Sequence, residues 1–347
     1  MKICIYGAGA IGGYLGVQLD QAGVDVSLVA RGQNLKAMRE NGLTLQIDGE
    51  TRVAHVRCTE SAAELGPQDY VIICLKAHSV PGAVDAMRPL IGRGTTIVTA
   101  VNGLPYWYFY RHGGRLENRI IESVDPNGRQ WTAFGPERGI GCIVYPATEV
   151  VAPGVVKHVY GNKFPLGEPD GVPSERVTAL SAAMRAAGLE APVRTNIRDE
   201  IWLKLWGNLC LNPISALTHA TLDVIAGTPA TRDVARRMML EAKAIGDKLG
   251  VHFRVDVERR LDGAGAVGAH RTSMLQDLDR SRPMEIDPIV TVIQELGRMV
   301  GVPTPTIDTV LALVQQRAEI AGLYARPAAM TASLAASTAR EHVPSMA

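Results

Sequence analysis

The chain has 347 residues, 46% of them hydrophobic, with Lys+Arg 36 against Asp+Glu 35 and a formal net charge of +1. That length and apolar content predict two domains with a core each. The charge balance excludes a broad electrostatic footprint for nucleic acid or an anionic membrane surface, and no apolar run approaches the roughly 18 residues of a membrane span. The N-terminus passes straight into KICIYG, too short for a signal peptide. Five scattered cysteines without C-x-x-C spacing read as buried free thiols. A soluble cytoplasmic protein without a metal is the expectation.

Lys2–Tyr6 is a β-rich run, followed at once by GAGAIGG and a helical pattern through Leu15, Leu19 and Ala22. Within Gly7-Ala8-Gly9-Ala10-Ile11-Gly12 the glycines fit G-x-G-x-x-G, with a strand before and a helix after. The first glycine permits the tight turn, the second lets a pyrophosphate approach the backbone, and the third lets helix and strand pack closely. VDVSLVAR (24–31) is a second buried strand. Where an NAD enzyme carries an acidic residue for the ribose hydroxyls, this chain has Ala30-Arg31-Gly32. A guanidinium there suits a 2′-phosphate; one charge-assisted bond of roughly 1.5–3 kcal/mol favours NADP(H) by about ten- to a hundredfold.

DYVIICLKAH (69–78) and TTIVTAVNG (95–103) are further β-runs, ending in Lys76 and Asn102. Ligands of open α/β sheets sit beyond the carboxyl ends of the strands, so both residues are placed to meet cofactor or substrate. A solvated lysine and an ordinary Asn-Gly turn are their plainer readings. Strands are predicted around Arg119–Val124, Ile140–Val144 and Val155–His158, then a helix over 174–188. TNIRDE (195–200) has the pattern of a helix start and marks the domain boundary. The chain therefore divides into a nucleotide-binding domain (1–195), a helical domain (196–330) and an Ala/Ser-rich tail (331–347).

The opening helix of the second domain carries IWLKLWGNLCLNP (201–213), apolar around nearly its whole circumference. Lys204, Asn208 and Asn212 interrupt it at i, i+4 and i+8, with Glu200 one step earlier. This spacing stacks them in one stripe along the helix. A buried lysine is costly without a partner, so the stripe either meets solvent or lines a wet cleft. Helical periods continue over ATRDVARRMMLEAKAIGDKLG, SMLQDL, about 287–300, and beyond Pro305.

These pieces resemble the ketopantoate reductase (2-dehydropantoate 2-reductase) family of NADPH-dependent 2-oxo acid reductases. The resemblance rests on GAGAIG with Arg31, on CLKA, on VNG, and on IWLKLWGNLCLNP paired with TSMLQDLDRSRPMEID; it covers residues 1 to about 325. It implies a Rossmann-type NADP-binding α/β domain followed by an all-helical domain. Lys204 matches the lysine that protonates the ketone oxygen, and Glu285 the glutamate that orients the site. Asn208, Asn212 and Ser273 match substrate-binding residues, Ser273 facing the carboxylate. Asn102 matches the asparagine near nicotinamide and ketone. Gly7 to Gly12, Arg31 and Lys76 match cofactor contacts, the two cations around the 2′-phosphate. A homodimer also fits, since helical second domains in such reductases often pair.

Plainer readings stand beside these. Ser273 with Gln276 forms a capping-box pattern, Glu285 precedes a helix start, and Asn212-Pro213 often marks a break. Leu222 and His270 stand where pantothenate-pathway enzymes carry further substrate-binding asparagines. The aromatic run YWYFYRHGG (106–114) reads as a core or dimer patch, or as an enlarged apolar pocket. Another branched or aromatic 2-oxo acid, as in mandelate-type D-2-hydroxyacid dehydrogenases, is the alternative substrate. A non-catalytic NADP(H) sensor is the alternative of a different class.

Overall fold

A computed structural model describes residues 1–326; the tail assigned to 331–347 lies outside the described residues. The first part contains β1 (Lys2–Tyr6), α1 (Ala10–Gln21), β2 (Asp25–Val29), α2 (Gly32–Asn41), β3 (Leu43–Ile47), β4 (Glu50–Ala54), β5 (Arg57–Thr59) and β6 (Tyr70–Ile73). It continues with α3 (Val80–Met87), β7 (Thr96–Thr99), α4 (Arg129–Phe134), β8 (Gly139–Cys142), β9 (Ala147–Ala152), β10 (Val155–Tyr160), β11 (Leu166–Gly167) and α5 (Glu175–Ala186). After it come only helices: α6 (Ile197–Thr218), α7 (Leu222–Gly227), α8 (Pro229–Lys248), α9 (Val257–Gly265), α10 (Ser273–Asp279), α11 (Val292–Val300) and α12 (Pro305–Ile320).

The main sheet runs β11-β8-β7-β6-β1-β2-β5 and is parallel except at β11. Its central strands are buried on both faces, as continuous apolar runs such as YVII require. β1 lies between β2 and β6. The strand order therefore reverses at the glycine loop, where Rossmann-type sheets bind nucleotides. Asn196 starts α6 by accepting a hydrogen bond from the Asp199 N–H. The helix does not break at Pro213; it continues to Thr218.

Two features differ from expectation. A second sheet, β4-β3-β10-β9, covers α1, and only its β10 was predicted. A Cβ at Gly13 would lie 2.6 Å from the Val156 side chain, so glycines of α1 also serve this packing. The strand expected around Arg119–Val124 is absent. The N–H groups of Glu122 and Ser123, which a ladder would need, donate instead to the Glu295 carboxylate at 2.8 and 2.9 Å.

The first four residues of the aromatic run are core. Tyr106, Trp107, Tyr108 and Phe109 are each at most 2% exposed. The Trp202 indole N–H on α6 donates to the Tyr108 hydroxyl at 2.7 Å, so this cluster fastens the helical domain to the sheet. Among the described residues no helix is long and apolar enough to cross a membrane.

Candidate active site

The nucleotide-domain wall is made by turns at the carboxyl ends of β1, β6 and β7. Gly7 has φ +112°, a conformation that favours glycine. A Cβ at Gly12 would stand 2.0 Å from the Gly7 carbonyl oxygen, so helix and turn can close only with glycine there. A Cβ at Gly9, by contrast, would meet nothing within 4 Å. The loop is thus tight beneath and open above, and α1 begins with neither a side-chain cap nor an acidic residue in its first turn. Free N–H groups at such a helix start fit the pyrophosphate of a dinucleotide. Arg31 is exposed at the end of β2, ahead of α2.

Beyond β6 and β7 stand Lys76 and Asn102. The Lys76 ammonium lies 2.6 Å from Asp277 Oδ2 and 3.6 Å from Glu285 Oε2, so it faces carboxylates of the helical domain. Asn102 sits in a turn completed by Gly103 (φ +85°), where a Cβ would lie 2.1 Å from the Pro288 carbonyl oxygen. Pro288 belongs to a π-helical turn, Asp287–Thr291, that leads into α11. Proline lacks the N–H that an α-turn would use, and such widened turns recur at functional sites. Glu285 lies two residues before this turn and is 4% exposed.

The stripe on α6 forms the opposite wall. Lys204 is half-buried, and its Nζ donates to Asn102 Oδ1 at 2.9 Å and to the Val144 carbonyl beyond β8. Asn102 Nδ2 in turn donates to Glu285 Oε2 at 2.8 Å, while Glu285 Oε1 accepts from the Ala77 N–H at 2.8 Å. Lysine and glutamate, expected as a pair, are therefore joined through Asn102. Burial pulls the Lys204 ammonium down to about 8, while the Glu285 charge opposes that fall. The neighbouring Cys142 thiol is pushed up to about 12 by burial, so it stays neutral at physiological pH. Lys204 stands at the side of a small pocket lined by Asn102, Gly103, Cys142, Lys204, Leu205 and Asn208, among others, and a lysine so placed could give up a proton near neutral pH.

Asn212 is 5% exposed and its Nδ2 has no hydrogen-bond partner among the described residues, an unusual state for a buried donor. Ser273 is exposed as the first residue of α10 and is not its cap. Thr272 holds that position, accepting from the Leu275 N–H at 3.3 Å, and Gln276 donates to the Arg271 carbonyl. Leu222 and His270 are neighbours, joined by a backbone hydrogen bond of 3.0 Å. The Val144 carbonyl, the Ala77 N–H and Asp277 were not anticipated. Only Asp277 carried a signal, lying four residues after Ser273 and so on the same side of α10.

The fold agrees with wider comparisons. Residues 3–171 match the model of "Ketopantoate reductase PanE/ApbA", and residues 196–318 that of its C-terminal part. A 2-dehydropantoate 2-reductase of Mesorhizobium japonicum is 58% identical over 325 residues, covering 93% of this chain and all of its own. A crystal structure from Ralstonia solanacearum MolK2, assigned to the ketopantoate reductases, superposes with a TM-score of 0.89 at 43% identity, covering 93% of this chain and 99% of that one. A PanE/ApbA family ketopantoate reductase from Ralstonia eutropha JMP134 gives 0.80 at 26%, covering 93% and 100%. With a glycine-loop sheet, a helical second domain and a lysine at the cleft between them, this chain belongs to the ketopantoate reductase family of oxidoreductases.

Proposed function

We propose that the protein reduces 2-dehydropantoate to (R)-pantoate with NADPH, and that Lys204 is the general acid. The observation that carries this reading is the Lys204–Asn102–Glu285 chain, in which a lysine drawn down to about 8 is held by a carboxamide that a carboxylate orients. When bound, the reduced nicotinamide supplies the hydride. The residues that would hold the cofactor are the Gly7–Gly12 loop for the pyrophosphate and Arg31, with Lys76, for the 2′-phosphate. Asn102 would lie near the reacting end.

As the carbonyl becomes an alkoxide, Lys204 passes an Nζ proton to the oxygen and neutralises the developing charge. Asn102 fixes the direction of that ammonium, and Glu285 keeps it charged near neutral pH. Asn208, the unpartnered amide of Asn212, and the exposed Ser273 hydroxyl offer hydrogen bonds to the substrate's carboxylate and hydroxyl groups. The similarity to the Mesorhizobium japonicum enzyme supports this choice of 2-oxo acid. Leu222 and His270, side by side where the resemblance leads one to expect asparagines, favour a second reading with a more apolar 2-oxo acid. NADPH oxidation with 2-dehydropantoate, 2-oxoisovalerate and phenylglyoxylate separates the two readings. Turnover that survives unchanged in Lys204→Ala would overturn the catalytic assignment.

A further inference from the structure

Glu200, Lys204 and Gly207 follow one another along one flank of α6, each about a turn apart. That flank collects cations. One Glu200 oxygen lies 3.3 Å from the Arg194 guanidinium and 3.9 Å from that of Arg254. A third guanidinium, Arg260 of α9, rests where Gly207 leaves room: a Cβ there would stand 3.1 Å from the Arg260 Cζ. Tyr145 directly follows the Val144 carbonyl that accepts from Lys204. Burial raises its phenol, the nearby Glu200 charge adds to the rise, and Arg260 and Arg194 oppose it. The ring, 38% exposed, therefore stands among these groups beside the proton donor.

Three guanidiniums share one carboxylate, and two of them are poorly satisfied. The Nε atoms of Arg194 and Arg260 are buried without a hydrogen-bond partner among the described residues. Arg260 is half-buried and, among those residues, has no ion pair either. A cation withdrawn from water without a counter-charge is costly, so the cluster is short of one anion. The donors already named for the substrate, Asn208, Asn212 and Ser273, are all uncharged. Lys76 is paired with Asp277 and Glu285, and Lys204 serves the ketone oxygen. We propose that Arg260, backed by Arg194, is a substrate-binding residue that supplies the positive charge for the carboxylate of the 2-oxo acid. This rests on the reading of the cleft as the site of 2-oxo acid reduction. A guanidinium suits the task, because its planar fork meets a carboxylate with two parallel hydrogen bonds.

The test uses the full chain and whichever of 2-dehydropantoate, 2-oxoisovalerate and phenylglyoxylate the wild type reduces, since all three carry the carboxylate. Arg260→Gln is expected to raise KM about tenfold or more, with kcat within about twofold and the Kd of NADPH unchanged. The rise of KM with added NaCl should be shallower than in the wild type. Arg260→Lys, which keeps the charge, should recover part of the loss. Gly207→Ala keeps Arg260 but pushes its flexible end aside, and should raise KM about threefold or more. Calorimetry needs no turnover. On protein loaded with NADP+, Arg260→Gln should raise the Kd of pantoate about tenfold and leave that of its uncharged lactone within about twofold. A KM within twofold of wild type in both Arg260→Gln and Gly207→Ala, or an equal weakening of pantoate and lactone, would overturn the proposal. Failure of the wild type to reduce any of the three acids would instead overturn the proposed function, while the calorimetric pair would still report on Arg260.

Discussion

The two walls of the cleft are built by different means. On the sheet side, Gly7, Gly9 and Gly12 act through what they lack: one takes a positive φ, one leaves space above the loop, and one allows a backbone contact that any Cβ would block. On the helical side, Lys204, Asn208 and Asn212 act through what they carry, on a helix otherwise apolar enough to be interior. The first wall offers backbone shape and helix polarity, and the second a few polar groups set on an apolar helix. Shape of the first kind belongs to a whole superfamily of nucleotide domains. On the proposed reading the chemistry belongs to the second wall, so substitutions on the two sides should fail differently.

The largest expected effect is on the helical wall. Lys204→Ala should lower kcat by about 10²–10⁴-fold while leaving cofactor affinity near wild type, as measured by NADPH fluorescence titration. Next is the point where the walls touch. Gly103→Ala places a methyl group 2.1 Å from the Pro288 oxygen at a positive φ. It should cost about 2–3 kcal/mol of stability, seen as a lowered Tm, and reduce turnover by displacing Asn102. On the sheet wall, Arg31→Ala should leave kcat at saturation almost unchanged but cut the preference for NADPH over NADH by about ten- to a hundredfold, read from the ratio of their Kd values. The smallest effect is expected at Leu222. Leu222→Asn should lower KM for 2-dehydropantoate by about two- to fivefold if that substrate's hydroxyl reaches this point, and leave it unchanged if the pocket serves a more apolar acid.

The same contrast governs what could be read from sequence. The glycine loop was legible because its constraints are local: three glycines at fixed spacing, between a β-run and a helical period. The α6 stripe was legible because polar residues at i, i+4 and i+8 stand out on an apolar helix. Asn102 as the bridge between Lys204 and Glu285 was not legible, since the three residues are far apart in the chain and only the domain packing brings them together. The Val144 carbonyl escaped notice because a backbone acceptor carries no residue signature. The sheet over α1 was largely missed because strands such as LTLQI and ETRVA are short, and in ETRVA all but Ala54 are at least partly exposed. At Arg119–Val124 a strand was expected, but the distant Glu295 carboxylate took the N–H groups that a ladder would use. Each miss turns on a partner supplied by tertiary structure.

The most direct test of the central claim is the pH dependence of kcat/KM for 2-dehydropantoate, measured from pH 6 to 10 by NADPH oxidation. A lysine that donates its proton from a folded-state value of about 8 must be charged to act. Activity should therefore be full on the acid side and fall about tenfold per pH unit above that value. Asn102→Ala should weaken the activity without abolishing this alkaline limb, and Lys204→Ala should remove the limb together with most of the rate. A wild-type profile that stays flat through pH 9.5 would contradict the account, because the group supplying the proton would then not be the lysine of α6.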